Sequence, residues 1–252
     1  MSDSKIAIVT GGSRGIGRQT VLSLAKRGVR TILTYRSNRA EADKVVALAA
    51  EAGAQAAALR LDTGDTAGFA GFAEAVRGQL AAWGAERFDY LVNNAGTSSA
   101  AGFQTITEAE MDGLYAVHFK GVLFLSQALV PLMNDGGRIV NISSGLARFA
   151  MPGRIGYGSI KAAVETLTRY MAVDLGPRRI AVNVVAPGAI ATDFSGGMVR
   201  DNPQVNKMVA DITALGRVGL PEDVGPVIAA LLSDDLGWVN AQRIEVAGGV
   251  HI

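Results

Sequence analysis

The stretch TGGSRGIG, residues 10–17, decides how the rest of the chain is read. It follows a short apolar run, KIAIVT (5–10), and opens an amphipathic one, GIGRQTVLSLAKRG (15–28). Apolar run, glycine turn and helical pattern in that order describe a strand feeding a helix. The glycines let the backbone turn sharply and bring its N–H groups to the helix N-terminus, where an anion is favoured. The spacing Gly11-x-x-x-Gly15-x-Gly17 is a variant of the dinucleotide-binding fingerprint with one longer gap. Gly11, Ser13, Arg14, Gly15, Ile16 and Gly17 are therefore candidates to hold a pyrophosphate.

The pattern repeats outward from that turn. Further apolar runs at VRTILTYR (29–36), QAAALRLD (55–62), FDYLVNNAG (88–96), GRIVNISS (137–144), RIAVNVVAPG (179–188) and near AQRIEVAGG (241–249) read as strands. Helical patterns separate them over about 39–52, 66–82, Thr107 to Met133, 155–176 and 221–232. Uniformly apolar strands alternating with helices predict an α/β fold, a doubly wound Rossmann fold with a parallel seven-stranded sheet and helices on both faces. Residues 1–252 read as a single domain, without repeat, linker or low-complexity tract, that binds at the carboxyl ends of its strands.

Composition narrows the class. The chain has 252 residues, 49% of them hydrophobic, and its 24 basic groups nearly cancel its 23 acidic ones. Nucleic-acid binding needs a concentrated positive stripe, and no basic run exceeds PRRI (177–180). With no cysteine there is neither disulfide nor thiolate metal site. The N-terminus MSDSKIAIVTGG is too acidic and too short in its apolar run for a signal peptide. No apolar stretch is expected to approach the ~18 residues of a membrane span. The expected setting is the cytoplasm, with no membrane or nucleic-acid partner.

A dinucleotide fold usually carries an acid at the end of its second strand, to hold the free ribose hydroxyls of NAD. Here Tyr35, Arg36 and Ser37 occupy that position. Arg36 can pair bidentately with a 2′-phosphate, and Arg14 can close on it from the glycine loop. NADP(H) is the expected cofactor, unless Arg36 is only a solvated charge at a strand end.

Within YGSIK, Tyr157 and Lys161 stand four residues apart and share a helical face. A phenol with a free pKa of about 10 becomes useful near neutrality only when something favours its anion, and a neighbouring ammonium does so. A hydroxyl from NISSG is a second donor for a substrate carbonyl.

Taken together, TGGSRGIG, the LD at 61–62, NNAG at 93–96, GRIVNISS, YGSIK, NVVAPGAIATD and the closing VAGG resemble the short-chain dehydrogenase/reductase family along essentially the whole chain, its 3-oxoacyl-(acyl-carrier-protein) reductase-like subgroup in particular. The resemblance implies that Tyr157 donates a proton to a carbonyl oxygen as hydride arrives. It also implies that Lys161 holds the nicotinamide ribose and lowers the tyrosine's pKa, and that a serine polarises the carbonyl. The family serine lies thirteen residues before the tyrosine, which selects Ser144 and leaves Ser143 a packing or backbone-bonding role. Leu61 and Asp62 would meet the adenine end, and Asn94, Ala95 and Gly96 would pass beneath the adenosine ribose. Pro187, Gly188, Ile190 and Thr192 would reach the nicotinamide carboxamide.

One position departs from the family. Where an asparagine usually seats the water of the lysine's proton relay, this chain has His118. A neutral imidazole donates from one nitrogen and accepts at the other, so His118 is expected either to hold that water or to be a hydrogen-bonded core residue. The other histidine, His251, reads as a surface or subunit-contact residue.

Residues 193–216 read as a mobile substrate lid, and LARFAMPGRIG (146–156) as a second wall carrying Phe149 and Met151. The apolar walls imply a small-molecule ketone or aldehyde, or its alcohol, with hydrophobic bulk. The expected activity is an NADP-dependent carbonyl reductase, with a carrier-protein reductase as the alternative. That alternative wants a basic patch at the site mouth, and Arg178 with Arg179 is the obvious cluster. A rival of another class is a non-catalytic NADP-binding sensor. Family habit also implies a homotetramer.

Overall fold

The computed structural model describes residues 4–252, so the first three positions of the N-terminal run lie outside the described residues. Among the described residues, parallel strands β1 (Ile6–Val9), β2 (Arg30–Tyr35), β3 (Ala56–Arg60), β4 (Phe88–Asn93), β5 (Met133–Ile142), β6 (Ala181–Pro187) and β7 (Arg243–Val246) form one sheet in the order β3-β2-β1-β4-β5-β6-β7. The chain winds from β1 out to β3, then crosses back to β4. The crevice at that reversal, beyond the carboxyl ends of β1 and β4, is where such sheets bind ligands.

Alternation along the strands builds a core on each face. Ala7 and Val9 of β1 join Val21 and Leu24 of α1 (Gly15–Ala25), Val45 and Ala49 of α2 (Arg39–Glu51) and Ile228 of the helix Pro221–Leu231. Ile6 and Ile8 point the other way. They meet Phe72 and Val76 of α3 (Phe69–Ala82), Leu125 and Leu129 of the helix Gly121–Leu129, and Met171 of the helix Ile155–Leu175. Each fully buried leucine among them stabilises the fold by about 1.5–3 kcal/mol. Capping sets two helix starts: the Asn38 side chain accepts from the Glu41 N–H, and Thr107 and Glu110 form a reciprocal capping box.

The central helix is not the continuous element predicted for Thr107 to Met133. It runs as α4 (Glu108–Tyr115), a π-helical turn (Ala116–Lys120) and α5 (Gly121–Leu129), and Met133 already belongs to β5. At Gly121 the helix passes so close to the Thr63 carbonyl that a Cβ would sit 2.3 Å from its oxygen, so only glycine allows the approach. The helical run Glu108–Leu132 has a mean hydropathy of 1.3 over its best 18-residue window, enough in length and composition for a membrane span. This corrects the expectation that no stretch approaches that length. The run is apolar because Leu125 and Leu129 lie in the core beneath the sheet.

Within 193–216, the segment read from the sequence as a substrate lid, the chain forms short helices. After α6 (Ile155–Leu175) and β6, a short 3-10 turn (Phe194–Gly197) leads into α7 (Met198–Asp201) and α8 (Pro203–Asp211), and α9 (Pro221–Leu231) follows. Pro203 at the first position of α8 and Asn202, whose side chain accepts from the Gln204 and Val205 N–H groups, set the start of α8.

Candidate active site

The glycine loop is shaped to take a dinucleotide. A Cβ at Gly17 would lie 2.2 Å from the Gly11 oxygen and 2.5 Å from Asn94 Nδ2, so the loop folds back on itself only with glycine there. Asn94 locks the turn from β4 by donating to the Thr10 and Gly11 carbonyls at 2.8 and 3.1 Å. The Thr10 hydroxyl accepts from the Asn94 and Ala95 N–H groups at 2.9 and 3.0 Å. Thr10 is a residue the motif reading passed over, although it precedes the first glycine. Ile16 packs on the core below, and Ser13 is half-buried in the loop. This tight, backbone-lined cradle at the start of α1 fits a pyrophosphate.

Around it the expected partners take their places. Tyr35 and Leu61 are buried at the ends of β2 and β3, with Arg36, Ser37 and Asp62 exposed beside them. Asp62 Oδ1 accepts from the Gly64 N–H at 2.9 Å, closing a local turn. Gly96 lies against His118, since a Cβ there would sit 2.7 Å from the imidazole Cε1. Pro187 ends β6 and Gly188 follows it, while Ile190 bridges to Gly219. The Thr192 methyl lies 3.3 Å from where a Gly15 Cβ would be, across the mouth of the glycine loop. The Arg14 guanidinium lies 4.0 Å from Asp193.

Beyond the end of β5 the two serines part. Ser143 is 2% exposed, and its hydroxyl donates to Glu165 Oε1 at 2.7 Å. Ser144 caps a 3-10 turn, accepting from the Leu146 N–H at 3.2 Å, and its hydroxyl lies close enough to the Tyr157 phenol to favour the phenolate. Lys161, one helical turn below Tyr157 on α6, is buried, and its ammonium donates to the Ile142 carbonyl at 2.7 Å while lying 5.6 Å from the Tyr157 ring centroid.

Burial dominates the protonation of this cluster. It pushes the Tyr157 phenol well above its usual range, against the opposing pull of the Ser144 hydroxyl and the Arg154 guanidinium. Burial pulls Lys161 down to about 7. His118, 1% exposed, is held well below its ordinary pKa, chiefly by burial and then by the Lys161 charge. Its ring stands edge-on to Tyr157 with centroids 5.4 Å apart.

The substrate side differs from expectation in one wall. Phe149 packs over Gly145 and against His251, 4.6 Å between ring centroids, instead of standing over the tyrosine. The ring that faces Tyr157 is Phe194, at 5.9 Å. Sequence reading placed Phe194 in the lid segment without singling it out, although it closely follows the PGAIATD turn. His251 is exposed, as expected, and rests on Phe149.

This sheet, glycine cradle and Ser-Tyr-Lys cluster define a dinucleotide-dependent oxidoreductase. Residues 11–251 match the family model described as enoyl-(acyl carrier protein) reductase. Versicolorin reductase 1 of Aspergillus parasiticus is 36% identical over 260 residues, covering 98% of this chain and 96% of that one. Among solved structures, the promiscuous reductase LugOII, which catalyses keto-reduction at C1 during lugdunomycin biosynthesis, is 38% identical with a TM-score of 0.90, covering 98% of both chains. The angucycline C-6 ketoreductase LanV with bound NADP is 33% identical with a TM-score of 0.92, covering 97% of this chain and 95% of that one. The chain belongs to the short-chain dehydrogenase/reductase family. It is an oxidoreductase acting on small molecules, and its cofactor is a nicotinamide dinucleotide of the NAD(P) type.

Proposed function

We propose that this protein reduces the carbonyl of a bulky apolar ketone or aldehyde to the alcohol, reversibly and with NADPH. The observation that carries the reading is the convergence of Ser144 and Tyr157 above the buried Lys161, at the carboxyl ends of β4 and β5 and beside the glycine cradle. The nicotinamide, when bound, supplies the hydride. Tyr157 gives its phenolic proton to the carbonyl oxygen as negative charge develops there, and takes it back in the oxidative direction. The Ser144 hydroxyl donates to the same oxygen and polarises it. Lys161, anchored on the Ile142 carbonyl, holds the ribose hydroxyls and stabilises the phenolate by charge.

His118 serves as a relay member behind the lysine. Its Nε2 lies 2.7 Å from the Thr97 carbonyl oxygen and 3.1 Å from the Thr97 N–H, and a proton on Nε2 answers the shorter of the two contacts. Nδ1 is then a buried acceptor with no partner among the described residues, suited to a water hydrogen-bonded to Lys161. An asparagine would hold such a water by its amide, and His118 offers the same acceptor from a ring.

Phe194 above Tyr157 supports a flat, aromatic ketone, and segment 193–216 is the lid that carries it. The versicolorin, lugdunomycin and angucycline reductases named above fit that substrate class. A carrier-protein substrate is less well supported. Arg178 is neutralised by Asp135 at 2.8 Å and bonds the Val130 and Met133 carbonyls, at the end of β5 opposite Ser144. The half-exposed Tyr115 and Phe124 on the central helix and the exposed Tyr170 and Val173 on α6 support an oligomer, a homotetramer by the habit of the family.

NADPH consumption by the pure protein against flat aromatic ketones, aliphatic ketones, aldehydes and β-ketoacyl thioesters tests the reading, with Tyr157→Phe beside it. Turnover of an aromatic ketone that falls by about 10²–10⁴-fold in Tyr157→Phe is the expected result. Unchanged turnover in that variant would remove Tyr157 from the chemistry.

A further inference from the structure

We infer that Arg154 selects the substrate of this enzyme, a flat aromatic ketone that also carries a carboxylate away from its carbonyl. The inference rests on the reading of this chain as a carbonyl reductase and adds a charged group to the apolar walls. Arg154 is the residue before α6, three positions ahead of Tyr157. Its Nη1 donates to the Ser99 carbonyl at 2.9 Å. Ser99 lies in the loop after β4, two residues past Thr97, and Thr97 holds the His118 ring that stands edge-on to Tyr157. The same loop lies close against the start of α6, since a Cβ at Gly153 would sit 3.1 Å from the Ala100 carbonyl oxygen. The bond to Ser99 therefore anchors a guanidinium between that loop and the first turn of α6. Its charge acts on the Tyr157 phenol, where it favours the phenolate.

That charge has no counter-ion in the fold. Arg154 is half-buried and forms no ion pair among the described residues. The first turn of α6 carries no acid. Glu110, the carboxylate that also reaches Ser99, accepts its hydroxyl at 3.3 Å and takes the Thr107 N–H and hydroxyl at 3.1 and 3.0 Å. Those hydrogen bonds, not Arg154, hold Glu110 ionised. A guanidinium drawn partly out of water without a partner is costly, and an anion on the bound ligand offsets that cost. Its planar fork matches a carboxylate, and among the described residues Arg154 commits one of its nitrogens, to Ser99. Phe194, 5.9 Å from the Tyr157 ring, supplies the apolar contact for a flat ring, and Arg154 the contact for its charge.

Calorimetric titration of the NADP⁺-loaded protein with meta- and para-acetylbenzoate, each beside its uncharged carboxamide, reads this contact without turnover. Wild type, Arg154→Gln and Arg154→Lys are compared, with folding checked by circular dichroism. The wild type should bind at least one of the acids about tenfold or more tightly than its amide, and Arg154→Gln should bring that ratio to about one. Arg154→Lys keeps the charge but not the fork and should fall between. Equal weakening of acid and amide in Arg154→Gln, with the ratio kept, would make Arg154 a brace for the Ser99 loop and overturn the inference. NADPH oxidation by the same ketones, with Tyr157→Phe beside it, separates that failure from failure of the reductase reading. Turnover of amides as readily as acids, lost in Tyr157→Phe, keeps the reductase and overturns the carboxylate. Selective binding of an acid without turnover keeps the carboxylate contact and overturns the reductase. A wild type that neither binds nor reduces any of these ketones overturns both.

Discussion

His118 Nε2 lies 2.7 Å from the carbonyl oxygen of Thr97, and its Nδ1 is buried without a partner among the described residues. The contact ties the π-helical turn of the central helix to the loop after β4, directly beside the Tyr157 ring. π turns inserted in α-helices recur at functional sites, and this one carries the residue that departs from the family pattern.

The depressed pKa of His118 has a thermodynamic consequence. The unfolded chain binds a proton at this imidazole near its ordinary pKa of about 6.5, and the folded protein does not until far lower pH. Stability from this group is therefore present above about 6.5 and lost as pH falls toward the folded value. His118→Asn should flatten the fall in melting temperature between pH 6.5 and 5 while keeping measurable reductase activity. Identical acid limbs in both proteins would show that the folded protein protonates His118 as readily as the unfolded chain does.

Lys161 predicts a slope of the same sign in a higher window. Folded, it titrates at about 7; unfolded, at about 10.4. Between those values the unfolded chain holds the extra proton, so stability rises with pH, by at most about 1.4 kcal/mol per pH unit. Lys161→Met should reduce that rise between pH 7 and 9, measured by urea unfolding, and should also abolish turnover. Equal slopes would mean that the lysine is solvated in the native protein.

The adjacent serines should fail in different ways. Ser144→Ala removes a donor beside the phenol and should lower kcat by about 10²-fold or more with little change in melting temperature. Ser143→Ala strips the half-buried Glu165 carboxylate of one hydrogen bond, although Arg243 still pairs with it at 2.7 Å. That loss should cost about 1–3 kcal/mol of stability and leave kcat largely intact. The reverse pattern would exchange the two assignments.

Phe194→Ala should separate binding from chemistry. Its ring lies over Tyr157 but carries no group that titrates, so the variant should raise KM for a flat aromatic ketone by about 5–10-fold with kcat within about twofold. An aliphatic ketone of similar bulk should be less affected. Equal KM changes for both would make Phe194 a general apolar wall.

Much of this protein follows from local sequence alone. Strand and helix identity came from the period of apolar residues, and the cradle from glycines at 11, 15 and 17. Tyr157 and Lys161 share a face because of helical spacing, and Ser144 is distinguished from Ser143 by its distance from the tyrosine in the family pattern. These features depend on neighbours along the chain. Other features depend on what packing brings together from distant segments. The central helix breaks at the π turn and resumes at Gly121, which passes under the Thr63 carbonyl from another loop. Phe149 turns to His251, and Phe194 takes the place over the tyrosine. Arg14 lies 4.0 Å from Asp193, while strand register brings Arg60 to the Arg36 carbonyl. Periodicity specifies which face of an element is apolar. Which side chains then meet is decided by strand register and by the contacts that the packed core permits.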